Sequence, residues 1–271
     1  MPSFPHGWSV EPTTSAVLGT LGGLFALGLF MSPFPTFRTI VATRSTGEFD
    51  GTPYLVTSVQ CLAWVLYASV TPGRGAPLAT NAVGLLFEAT YTALFLYHSE
   101  GARRVRYSRQ IRGAALGSLL YLIFTLAVVA ANRRSAFVGF TADLLNIAMY
   151  SAPLGIMGQV LRTRSVDCMP LSLSLGTLGC AMAWCAYGAY VADVTVLVPN
   201  ALGVALALAQ LALYVRFCFV GRKAAETEGP GANGADERLD GRALEVIAPL
   251  TGGDDGKEEA DNESGTPAAR V

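Results

Sequence analysis

Two asparagines and two tryptophans recur in this chain at a near-constant separation. Asn81 and Asn200 lie 119 positions apart, and Trp64 and Trp184 lie 120 apart. A side-chain amide offers both a donor and an acceptor. An indole offers a broad apolar face with a single N–H. Together these groups suit a neutral solute that carries hydroxyls and C–H faces, held without any covalent step. One such residue alone inside an apolar block is usually packing or interhelical glue. The pairing is what sets these four apart.

The elements that must position them are membrane spans. Of 271 residues, 52% are hydrophobic and only 14% charged, against about a quarter charged in soluble domains. The apolar residues are gathered into long blocks, and about 20 apolar residues cross a bilayer core. Seven spans are expected, near 13–37, 52–72, 76–97, 113–131, 136–161, 168–192 and 194–216. The backbone must satisfy its own hydrogen bonds in lipid, so each span is a helix. Charge within the spans is sparse: Glu88 in span three, Asp143 near the outer interface in span five, and Arg216 ending span seven. An intramembrane carboxylate is a functional candidate, but Glu88 has Ala207 as its repeat equivalent, which favours a structural role.

Lysine and arginine placement gives a direction. One set of connections holds twelve of these residues, among them Arg38, Arg44, Arg103, Arg112, Arg164 and Arg222. The other set holds Arg74, Arg133 and Arg134. This bias puts the N-terminus outside or in a lumen and the C-terminus in the cytosol. Residues 224–271 carry twelve acidic residues against four basic ones and little apolar surface, and are expected to be a disordered tail. The five cysteines have no zinc spacing and do not form a disulfide framework. Nothing points to nucleic acid or to a cofactor.

The duplication extends beyond the four binding candidates. Ser32–Pro33, Thr43–Arg44–Ser45, Pro53, Tyr67 and Gly84 return as Ala152–Pro153, Thr163–Arg164–Ser165, Pro170, Tyr187 and Gly203. The chain therefore divides into residues 1–12, a first three-helix bundle over 13–97, a linker with the fourth helix over 98–135, a second bundle over 136–219, and the tail over 220–271. An odd linker gives both triplets the same orientation, and transporters built from such repeats bind substrate between them. By about 1.5 Å per residue, Trp64 is roughly 18 Å along span two and Asn81 roughly 6–8 Å from the outer end of span three. Those depths nearly coincide. Proline interrupts helical hydrogen bonding, which makes Pro33, Pro53, Pro153 and Pro170 hinge candidates.

The stretches MSPFPTFRTIVATRST, NAVGLLFEATY, MYSAPLGIMGQVLRTRSVDCMP and PNALGVALALAQLALY resemble the SWEET family of sugar transporters, over roughly residues 15–219. The resemblance implies an all-α membrane fold of two parallel three-helix bundles joined by a linking helix. Each bundle is ordered first, third, second in space. It implies passive, bidirectional movement of mono- or disaccharides of the glucose or sucrose class by alternating access. No ATP, ion coupling or cofactor is implied, and several copies often assemble into a homo-oligomer. By position it gives Trp64, Asn81, Trp184 and Asn200 to the sugar. Ala26, Leu29, Gln60, Ala148 and Cys180 line the pocket, although the family often has a hydroxyl where Ala26, Gln60 and Cys180 stand. The proline tetrad serves alternating access, and Tyr67 with Asp193, joined by Tyr187, closes an outer gate. The plasma membrane is the expected location, with an endomembrane as the alternative.

Three other classes fit the sequence less well. A seven-span receptor has no need of a parallel duplication, and a retinal protein would need an intramembrane lysine that the spans lack. A proton-coupled amino-acid transporter should have acidic residues around its cavity. A membrane enzyme should have a nucleophile–base pair or a metal cluster, and the spans have neither, so the chain is read as a non-enzyme.

Overall fold

The computed structural model describes residues 11–166 and 171–227, with side chains to Cys218. Among these the structure is helical throughout. Span one is two helices, α1 (Pro12–Met31) and α2 (Phe34–Thr43). It is followed by α3 (Thr52–Val70), α4 (Gly75–His98) and α5 (Gly101–Ala127). Span five is again two helices, α6 (Arg134–Met149) and α7 (Ser151–Thr163), and α8 (Leu171–Tyr190) and α9 (Val194–Thr227) complete the set. The described residues up to 221 form one compact unit.

Six segments are long and apolar enough to cross a membrane: Pro12–Thr43, Thr52–Val70, Gly101–Ala127, Ala131–Thr163, Leu171–Tyr190 and Val194–Cys218. The seventh, α4, has the length at 24 residues but includes Asn81, Glu88 and His98, which lower its hydropathy. Its polar residues are sheltered by its position, because α4 packs against both α1 and α3. The first bundle is thus ordered first, third, second. In the second bundle Gly203 of α9 lies close to both Tyr150 and Ala181 of α8.

The duplication is visible in the backbone. Spans one and five both end on an arginine in the left-handed conformation, Arg44 and Arg164, each at φ 54°. This conformation costs a non-glycine residue roughly 1–2 kcal/mol. It lets the terminal N–H of each reach back to Ile40 and Val160, and those two side chains are both fully buried. The strain is offset by burying the same anchor at both places.

The two bundles meet along α1–α8 and α3–α6. Small residues allow the close approach, as membrane helices require without a hydrophobic drive between them. A Cβ on Gly22 would lie 2.7 Å from the Trp184 ring, and one on Gly139 would lie 3.0 Å from the Tyr67 ring. The outward surfaces stay apolar: Leu116, Leu119, Leu120 and Ile123 of α5 are all exposed, as lipid-facing residues should be.

Some element boundaries differ from expectation. Helix α5 begins at Gly101 rather than near 113, because arginine is a good helix former and carries the helix past the apolar block. Pro33 and the residues around Tyr150 break spans one and five, as proline at Pro33 and Pro153 suggests. Pro53 instead lies in the first turn of α3, where its missing N–H costs nothing. The backbone gives it no kink. Pro170 and Cys168 lie outside the described residues, as does nearly all of the tail. Helix α9 runs to Thr227, beyond the expected bundle end at 219.

Candidate functional site

Asn81 on α4 and Asn200 on α9 are held in the same way. Each donates a side-chain N–H to the carbonyl four residues earlier on its own helix, Pro77 at 2.9 Å and Val196 at 2.7 Å. Pro77 and Val196 are themselves 119 positions apart. Tethered so, both residues line a shared cavity of about 260 Å³, and neither amide oxygen is engaged by the tether. Trp64 from α3 and Trp184 from α8 form part of the same wall. Both indoles are largely buried and edge-packed against a tyrosine one turn outward. Trp64 meets Tyr67 at 5.6 Å and Trp184 meets Tyr187 at 5.4 Å between ring centroids. All four binding candidates therefore face one hollow between the bundles.

Ala26, Leu29, Gln60 and Cys180 also line this cavity. Ala148 does not. It is exposed on α6, and Asn146 and Met149 hold the wall instead. Helical geometry is the reason: Asn146, Met149 and Tyr150 fall at i, i+3 and i+4 on one face, and Ala148 points away from it. The signal was present in the sequence. Asn146 and Met149 stand 120 positions beyond Ala26 and Leu29, the offset at which Cys180 follows Gln60. Across the cavity Gln60 Nε2 donates to Asn146 Oδ1, linking span two of one bundle to span five of the other. Gln60 Oε1 is buried without a hydrogen-bond partner, so this wall holds an acceptor whose need is unmet.

Above the indoles the structure is closed. Ala63, Trp64, Tyr67, Ala142, Trp184 and Tyr187 belong to one buried cluster. At its top Tyr67 Oη donates to the Asp193 carboxylate, 2.8 Å from either oxygen. Arg74, which the sequence reading treated only as a loop charge, forms an ion pair with the same carboxylate. Asp193 also accepts the Val196 N–H at 3.3 Å, capping the start of α9. A carboxylate with this many charge-assisted partners tolerates burial. Tyr187 is buried beneath Gly19. Arg74 and Asp193 are 119 positions apart, so two equivalent positions of the repeat have met across the bundle interface as opposite charges.

Toward the arginine-rich end the path continues. A second hollow of about 430 Å³ shares Leu29, Gln60, Asn146, Cys180 and Asn200 with the first and runs on past Pro153, Leu173 and Gln210. Tyr150 marks the junction: its hydroxyl accepts from Asn146 Nδ2 at 3.2 Å and donates to the Pro199 carbonyl. Glu88 is buried but lines neither hollow, and one of its carboxyl oxygens has no partner. Asp143 lies near the expected outer interface. One of its oxygens is buried and unpartnered. No group of three or more potential metal ligands occurs among the described residues.

The family described as "Sugar efflux transporter for intercellular exchange" matches residues 16–103 and again 136–220. Bidirectional sugar transporter SWEET4 of Oryza sativa is 40% identical over 210 residues, spanning 76% of this chain and 81% of that protein. Bidirectional sugar transporter SWEET15 of the same species is 35% identical over 211 residues, 77% of this chain. The chain covers 66% of the length of that relative. Bidirectional sugar transporter SWEET2 of Arabidopsis thaliana is 33% identical over 78% of this chain and 89% of that protein. The solved structure of a eukaryotic SWEET transporter superposes with a TM-score of 0.73 at 32% identity, over 76% of this chain and 97% of that one.

Proposed function

The chain belongs to the SWEET family of sugar transporters, and from that premise we propose that it carries a glucose- or sucrose-class sugar down its gradient in either direction. The observation that carries this reading is the convergence of Trp64, Asn81, Trp184 and Asn200 on one cavity between the two bundles. In this reading the asparagine carbonyls accept sugar hydroxyls, the indole faces cover C–H surfaces, and the unmet acceptor of Gln60 takes a further hydroxyl. An unpaired buried acceptor costs about 1–3 kcal/mol, so filling it favours an occupied cavity.

Alternating access follows from the same arrangement. The ion pair, tyrosine and buried aromatic layer close one end, while the second hollow leads to the other. Opening the closed end requires Tyr67 and Arg74 to leave Asp193. The helix breaks at Pro33 and Tyr150 supply the bending points, with Pro153 just beyond the latter. Pro170 is the further member of the hinge set proposed from the repeat, whereas Pro53, in the first turn of α3, starts a helix and bends none. The arginine bias supports a cytosolic C-terminus and a multi-pass protein of the plasma membrane or an endomembrane, with copies assembling as a homo-oligomer.

Counterflow of labelled glucose and sucrose in proteoliposomes tests the reading. Saturable exchange is expected, unchanged by a pH gradient. Accumulation driven by protons, with no sugar-for-sugar exchange, would instead favour the coupled amino-acid carrier.

A further inference from the structure

A large apolar hollow lies away from the proposed sugar path. It has a volume of about 720 Å³ and separates α5 from α3, with Leu85 of α4 and Leu145 of α6 at its sides. Its α5 wall runs from Ile111 through Ala115 and Ser118 to Leu122. That is twelve residues, or roughly 16 Å along the helix at about 1.5 Å per step. The α3 wall, from Leu55 to Ser69, is longer still, so the slot reaches past the middle of a ~30 Å hydrocarbon core, a length that suits one extended acyl chain. The wall is mostly apolar: Ser58 and Ser69 give their hydroxyls to the Tyr54 and Val65 carbonyls of their own helix, and the Tyr121 hydroxyl is the polar group in it left buried without a partner.

The groove ends at a basic mouth. Arg104, Ser108 and Arg112 stand at i, i+4 and i+8, continuing the groove side of α5 toward the arginine-rich end. Arg104 and Arg112 are exposed. Arg112 bends back that way, its Nε donating to the Ser108 carbonyl at 3.3 Å. Among the described residues no carboxylate forms an ion pair with either arginine. A long apolar slot whose helix carries two exposed arginines just beyond its Ile111 end has the length and charge that suit a phospholipid. Arginine also suits the phosphate oxygens geometrically.

We propose that this groove is a binding site for one anionic phospholipid, its acyl chain along Ile111–Leu122 and its headgroup phosphate on Arg104 and Arg112. The site is independent of what the central cavity carries. The lipid wedges the linking helix against the first bundle, and so supports the element that joins the two repeats.

Native mass spectrometry of the full chain, purified in detergent and mixed with dioleoyl phosphatidylserine or phosphatidylcholine, tests this. One phosphatidylserine should be retained per chain, with roughly tenfold preference over phosphatidylcholine, in keeping with the attraction of each juxtamembrane arginine for anionic lipid. The double change Arg104→Gln/Arg112→Gln should remove the preference. Ala115→Trp should fill the slot and remove retention of either lipid. Should the tryptophan variant fail to fold, Ala115→Leu and the arginine pair, both at exposed positions, still decide. Equal retention of the two lipids, or retention unchanged in the variants, would overturn the proposal. So would loss of lipid accompanied by loss of an oligomer, which would mean that a second copy covers the groove.

Discussion

Gln60 and Asn146 are the residues through which this cavity differs most from a simple pair of asparagines and indoles. Their amide link crosses between the bundles at the level of the solute, and it occupies volume. At about 260 Å³ the hollow lies just under the usual ~300–1,000 Å³ range of small-molecule sites. Gln60→Ala enlarges it and frees Asn146, so counterflow of sucrose relative to glucose should rise several-fold, read in one proteoliposome preparation. Much of the site was legible at this scale, because duplication turns single residues into pairs. The repeat offset marks Trp64, Trp184, Asn81 and Asn200, which all line the cavity. Ala148, placed by family likeness and without a repeat partner in the wall, does not, while Asn146 and Met149 do. Arg74 was missed because charge counting treats a loop arginine as a topology signal, and only contact reveals the carboxylate across the interface.

Among the elements, the start of α9 links structure to gating. Asp193 caps that helix and also receives Tyr67 and Arg74, so opening the gate releases partners of a helix cap. Asp193→Asn keeps the shape but removes the charge that holds Arg74. Hydrogen bonds to charged groups contribute about 1.5–3 kcal/mol, so the closed outer end should lose roughly tenfold in population. A membrane-impermeant maleimide added outside should then label Cys180, which lines the cavity, correspondingly faster. Unchanged labelling would mean the aromatic layer alone closes that end. The prolines divide by position. Pro153→Ala should slow exchange, because it lies beside a break in the helix. Pro53→Ala should leave the rate nearly unaltered, because it lies in the first turn of α3. Repeat pairing marks both prolines alike, whereas the start of span two near 52, which the structure places at Thr52, is what sets Pro53 apart as a helix-start residue. The extension of α5 to Gly101 was hidden, since hydropathy reports where a helix is apolar and not where it begins.

For the whole molecule, the pattern read from the sequence and the architecture agree because lipid leaves the backbone few options. Apolar blocks become helices, and a duplicated triplet with an odd linker yields parallel bundles. What composition could not convey is how the bundles touch. That depends on close contacts such as Gly22 against Trp184 and Gly139 against Tyr67, where one hydrogen stands in for a side chain. Gly22→Leu should therefore disrupt the interface itself, lowering the thermal midpoint of the purified chain by several degrees and abolishing exchange. The central claim is that the two bundles enclose one cavity in which paired asparagines hold the sugar. Labelled-sugar counterflow by Asn81→Ala and Asn200→Ala, each verified as folded by its thermal midpoint, tests it most directly. Near-background exchange in both variants is the predicted result. Exchange at the unmodified rate in either would contradict it.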